Sequence, residues 1–160
     1  MITLKKIAAM RYALTAMLAF CLCLPLMGGD AAKKLKKKHE EMLALAEAGN
    51  ADAQYDLGLI YANGIVTLEG EPRNWDKEAV KWYRRAAEQG YGSAQFGLGF
   101  MYSTGRGVLE NYLTGYAWMI IAQANGVKLV SDQKLALAKK MTPEQIAKAQ
   151  ELSKEMVKKN

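Results

Sequence analysis

A chain of 160 residues that is 51% hydrophobic has the length of one domain and ample material for a packed core. Its two cysteines, Cys21 and Cys23, both fall in an N-terminal apolar segment, which excludes a disulfide framework, a thiol nucleophile and a cysteine zinc site from everything downstream. The formal charge of +6, or +4 once residues 1–31 are set aside, is too diffuse to argue for a nucleic-acid partner.

Lys5, Lys6 and Arg11 precede an apolar run from Tyr12 to Met27, which Pro25 and the Gly28-Gly29 pair close before polar sequence starts at Asp30. This is the order of a secretory signal peptide, and the small residues of Gly29-Asp30-Ala31 place cleavage near Ala31, giving a leader over residues 1–31. Two alternatives stay open. The run from Tyr12 to Met27 approaches the shorter end of the ~17–25 residues that span a bilayer, so residues 12–29 would serve as an uncleaved inner-membrane anchor. Leu18-Ala19-Phe20-Cys21 has the outline of a lipoprotein signal, but Phe20 is bulky where a small residue is wanted. On each reading the remainder of the chain is exported, in the periplasm or beyond.

Residues 32–50 form a basic segment running into a leading capping helix. Five lysines between Lys33 and Lys38 stand ahead of Glu40 and Glu41, the reverse of what a helix macrodipole favours, so the front of this helix is expected to fray. Such a run reads as a solvated tail, with weak attraction to an anionic membrane surface as its functional alternative. His39, the single histidine, reads as solvated. Met42, Leu43, Leu45 and Ala46 give the helix an apolar face, and Gly49 ends it.

Residues 51–126 repeat. A shift of 41 places Gly49, Ala53, Gln54, Leu57, Gly58, Tyr61 and Gly64 on Gly90, Ala94, Gln95, Leu98, Gly99, Tyr102 and Gly105. A shift of 36 places Trp82, Ala86 and Gly90 on Trp118, Ala122 and Gly126. Repeats of this length are stacked supersecondary units that cannot bury their apolar faces alone. The helix Ala51 to Ala62 has Ala53, Leu57 and Tyr61 on one face and Tyr55, Leu59 and Ala62 on the other. Its copy has Ala94, Leu98 and Tyr102 against Phe96, Phe100 and Ser103. Gly58 and Gly99 sit mid-helix at a cost of ~0.5–1 kcal/mol against alanine, which close helix approach would justify.

Between the helices, residues 65–76 form a longer connection in which Gly70 and Pro72 mark a turn. Trp75 there either folds back as a lid or presents a contact. A helix from Asp76 to Gln89 follows, with Ala79, Trp82, Tyr83, Ala86 and Ala87 facing in and Lys81, Arg84, Arg85 and Glu88 facing out. Trp82 and Trp118 read as core because each recurs at one repeat position.

The string WYRRAAEQGYGSAQFGLGFMYSTGRGV, from Trp82 to Val108, resembles a Sel1-like repeat, a relative of the tetratricopeptide repeat. The resemblance implies an all-α fold, a short α/α solenoid of helical hairpins of the exported bacterial type. Gly64-Ile65-Val66 departs from the family's GxGV, which Gly105-Arg106-Gly107-Val108 keeps. Residues 127–160 lack the repeat and read as C-terminal capping helices. Ser131 caps a short helix to about Lys140. Thr142-Pro143-Glu144-Gln145 opens a longer one, through an N-cap, a proline at N1 and a capping-box glutamine. Ile146, Ala149, Leu152, Met156 and Val157 form its apolar face.

The resemblance implies a protein-protein interaction or scaffold module. Its enzymatic alternative is the β-lactam-binding or β-lactamase-like activity of cysteine-rich members, whose cysteines are missing here. Ser131-Asp132-Gln133-Lys134 matches SxxK without the SDN and KTG elements, and the glycines Gly105 and Gly107 lack the strand and the GK[ST] of a phosphate loop. No catalytic, cofactor-binding or metal residue is therefore assigned, and a monomer without cofactor is expected. The partner is expected to be a protein that meets Tyr55, Leu59, Phe96 and Phe100. These residues hold equivalent positions in two repeats and make either a contiguous groove or a second core face.

Overall fold

The computed structural model describes residues 29–64 and 74–159, which form seven helices and no strand. In chain order these are α1 (Gly29–Glu47), α2 (Ala51–Ala62), α3 (Trp75–Glu88), α4 (Gly92–Thr104), α5 (Tyr112–Ala124), α6 (Val130–Ala138) and α7 (Pro143–Lys159). Of the expected leader over residues 1–31 all but the last three, together with the lipoprotein outline and the turn at Gly70 and Pro72, lie outside the described residues.

Asparagine side chains start α2, α3 and α5. Asn50, Asn74 and Asn111 each accept a hydrogen bond from the backbone N–H three residues on, at 2.9, 3.3 and 3.0 Å, satisfying a donor that the first turn leaves orphaned. The ends are as regular. The N–H groups of Asn50, Tyr91 and Val127 reach back to the carbonyls of Leu45, Ala86 and Ala122, all at 3.1 Å, in three copies of one Schellman turn. Each turn needs a left-handed residue, and Gly49, Gly90 and Gly126 supply it with φ of 97°, 84° and 86°. Thus α1, α3 and α5 occupy equivalent places, although the family signature in the sequence starts only after α1.

Antiparallel neighbours α2 and α3, then α4 and α5, make the two hairpins; α1 packs on α2, and both α6 and α7 pack on α5. One core joins Ala46, Leu57, Ile60, Trp82, Leu98, Met101 and Trp118, and a second joins Tyr116, Met119, Val130, Leu137, Met141 and Ala149. Trp82 and Trp118 are buried, at 2% and 5% exposure, as their repeat register implies. Ile60 and Met101, again 41 apart, are buried too, although neither lies on the face the sequence singles out.

Gly58 and Gly99 are where helices touch. The ring of Tyr83 fills the space of a Cβ at Gly58, while α4 and α5 cross so closely that a Cβ at Gly99 would stand 3.0 Å from the carbonyl oxygen of Gly115. Trp75 opens α3 instead of lying in the connection, and its ring stacks on that of Tyr61 with centroids 5.7 Å apart.

Several expectations need correction. Leu45 and Val157 are exposed, so the apolar faces of α1 and α7 are narrower than the sequence suggests. His39 is not simply solvated. Its Nε2 lies 3.3 Å from the Tyr61 hydroxyl, with the rings edge to face. The lysine run Lys33–Lys38 lies within α1, whose Met42 and Ala46 further along pack on the first core. Ser131 does not cap α6, which begins at Val130 after Leu129 without a side-chain cap bond. Thr142 and Gln145 do form the capping box: the Thr142 N–H donates to Gln145 Oε1 at 2.8 Å, and the Gln145 N–H donates to Thr142 Oγ1 at 3.3 Å.

Candidate interaction surface

The buried faces of α2 and α4 fix where their other faces point. Leu57 and Leu98 are 0% exposed, and Ala53, Ala94 and Tyr61 are buried beside them. Helical spacing then groups Asp52, Tyr55, Asp56 and Leu59 into one stripe on α2, and Ser93, Phe96, Gly97 and Phe100 into the matching stripe on α4. All are half-buried or exposed.

Tyr83 joins the two stripes. Its ring extends from α3 against Gly58 on one side and towards Gly97 on the other, where a Cβ would stand 3.1 Å from Cζ. Tyr55 tilts over it with ring centroids 6.0 Å apart and lies 5.1 Å from Tyr91, the residue that precedes α4. The surface thus has a tyrosine floor contributed by α2, α3 and the residue before α4.

The four residues expected to meet a partner divide within it. Tyr55 and Leu59 lean on the first core, Phe96 leans on the second, and Phe100 is 39% exposed. Phe100 is consequently the member with most area free to be covered, and the other three contribute partly to packing.

Two buried amides hold the stripes in register. Gln54 donates from Nε2 to the carbonyl of Ala46 at 2.9 Å, and Gln95 donates to that of Ala87 at 3.1 Å. Their oxygens accept from Gln89 Nε2 and Asn125 Nδ2, both at 2.7 Å. Each amide thereby joins the end of the preceding helix to the turn that follows the next one. The recurrence of glutamine between apolar neighbours in both repeats is the sequence signal for this role. Arg106 provides a second tie: it forms an ion pair with Asp76 and donates from Nη2 to the carbonyl of Ala62 at 2.7 Å.

Electrostatically the α2 end is the distinctive one. Burial, then the neighbouring Asp52 carboxylate, push Asp56 up to about 6, and Lys38 of α1 pulls the other way. Burial, followed by Asp52, also holds the Tyr91 hydroxyl well above its ordinary range. Ser131 is exposed on α6, and the amine of Lys134 donates to Gln123 Oε1. Among the described residues no group of His, Cys, Asp and Glu could hold a metal ion, and no helix is long and apolar enough to cross a membrane.

Stacked helical hairpins with these glycine contacts and glutamine ties define an α/α repeat protein. The model of the Sel1 repeat matches residues 51–91 and 92–127, so the chain carries two Sel1 repeats. It is similar to the crystal structure of c5321, a protective antigen of uropathogenic Escherichia coli strains displaying an SLR fold, with 29% identity and a TM-score of 0.69 over 90% of this chain and 30% of that one. The chain thus spans less than a third of that antigen. It is also similar to a Sel1 repeat protein from Oxalobacter formigenes, with 28% identity and a TM-score of 0.50 over 70% of this chain and 96% of that one. Among curated proteins nothing matches the chain. Sel1 repeat proteins generally mediate protein-protein interaction and are typically non-catalytic.

Proposed function

We propose that this chain is a non-catalytic interaction module of the periplasm or cell envelope, and that it binds a protein partner across Tyr55, Leu59, Phe96 and Phe100. The observation that carries the reading is the repeated stripe. Four large apolar side chains stand at matching positions on α2 and α4, and Phe100 leaves 39% of its surface exposed while Leu98, two residues away, has none. An apolar group of that size held in register with three others supports a contact surface. The location is supported by the charged, apolar and small-residue order of residues 1–31.

Crosslinking in intact cells tests both parts. A photoreactive residue at position 100 should yield discrete adducts with an envelope protein, whereas the same residue at exposed Leu129, just before α6, should not. Adducts with cytoplasmic proteins alone would remove the location, and equal yields at both positions would remove the surface.

A further inference from the structure

The stripe changes chemistry from one repeat to the next. Asp52 and Asp56 on α2 stand where α4 has Ser93 and Gly97, and Leu59 stands where α4 has Phe100. One end therefore carries two carboxylates a helical turn apart, and the other carries the rings of Phe96 and Phe100, also a turn apart. The protein does little to neutralise the acidic end. The ion pairs among the described residues are Lys37–Glu41, Lys81–Glu78, Arg106–Asp76 and Lys154–Glu151, and none uses Asp52 or Asp56.

The groups that face the carboxylates are Lys38 of α1 at a distance, the Tyr91 hydroxyl, and the Tyr55 ring beside it. Half-buried carboxylate flanked by electron-rich rings is an environment that a guanidinium or ammonium group satisfies, through charge on one side and ring faces on the other. An acidic partner would meet repulsion there, and a purely apolar one would bury charge without compensation.

We infer, building on the binding role of this stripe, that the partner presents a protein segment with Lys or Arg within a few residues of an aromatic or aliphatic side chain. The cation sits against Asp52 and Asp56, and the apolar group sits across the Tyr83 ring against Phe96 and Phe100. The chain as a whole is basic, so long-range charge does not draw such a segment in. Recognition is local and depends on both ends being engaged.

The test is panning of the full-length protein against a random phage-displayed peptide library, followed by affinity measurement on the enriched peptides with the Asp52→Asn/Asp56→Asn and Phe100→Ser variants. Circular dichroism melts establish that each variant is folded. Enriched peptides should combine Lys or Arg with a nearby apolar residue, and each variant should weaken them by about tenfold or more, as loss of a close charge pair or an anchor does. If Phe100→Ser weakens binding and Asp52→Asn/Asp56→Asn does not, the cation inference is wrong while the surface stands. If neither variant matters, or if no peptide is enriched, the surface falls and the inference falls with it.

Discussion

The ring of Tyr83 occupies the space that a Cβ at Gly58 would need, so α2 and α3 approach each other through a missing side chain. Alanine is the better helix former by about 1 kcal/mol, yet Gly58→Ala must move a buried ring that Gly97 hems in from the other side. Gly58→Ala should therefore destabilise the protein by about 1–3 kcal/mol in urea denaturation. A gain in stability would show that the ring yields freely.

Gln95 bridges the carbonyl of Ala87, across the boundary between the two repeats, and the amide of Asn125, at the far end of its own repeat. Gln95→Leu keeps the volume and removes one of the two donors to that carbonyl, which still accepts from the Gly90 N–H, so it should cost about 0.5–1.5 kcal/mol. Gln54→Leu should cost a similar amount. Chemical denaturation of the two single variants measures this, and unchanged midpoints would reduce the amides to filling.

Trp82 and Trp118 repeat one position but differ in polarity: the buried Trp82 indole N–H has no acceptor among the described residues. Either tryptophan changed to alanine should cost about 3–5 kcal/mol. Trp82→Phe should cost less than Trp118→Phe, because it also removes an unsatisfied donor. Thermal melts in the opposite order would contradict this.

Asp56 gives stability a pH dependence of known sign. Burial raises its carboxyl from the ordinary 3.8 to about 6 in the folded chain, so between those values the folded state holds more proton than the unfolded one. Stability contributed by this group is full below about 3.8 and declines as pH rises towards about 6. Asp56→Asn should raise the melting temperature at neutral pH, and the gain should shrink on acidification to pH 4. A gain independent of pH would mean that the carboxyl titrates normally.

Phe96 and Phe100, expected from the sequence to act together, should separate on mutation. Phe96 packs on the second core and Phe100 is exposed. Phe96→Ser should lower the melting temperature clearly, while Phe100→Ser should change stability by no more than about 0.5 kcal/mol. Equal destabilisation would assign both to packing.

Most of the fold was legible because the repeat writes its contacts twice. Leu57 with Leu98, Trp82 with Trp118 and Gly58 with Gly99 announce burial and close approach by recurring at fixed spacing. The Thr142 capping box was legible for a local reason, since its bonds span three residues. What escaped depends on pairings across elements that no local pattern encodes. Ser131 looked like a cap but lies one residue inside a helix that starts earlier, and His39 looked solvated until Tyr61 came alongside. The acidic end of the surface was missed because Asp52 and Asp56 break the repeat, and a search for recurrence passes over what occurs once.

Arg106 bears on how much this chain can be altered. By gripping the carbonyl of Ala62 and the side chain of Asp76, it clasps together the two points where the chain leaves α2 and enters α3. The helices are thereby positioned independently of the number of residues strung between them. Loop closure adds only about 0.6 kcal/mol per doubling of length, so this connection is a natural place to graft an epitope or a reporter. The two repeats already differ in length there, by the five residues that separate a spacing of 41 from one of 36.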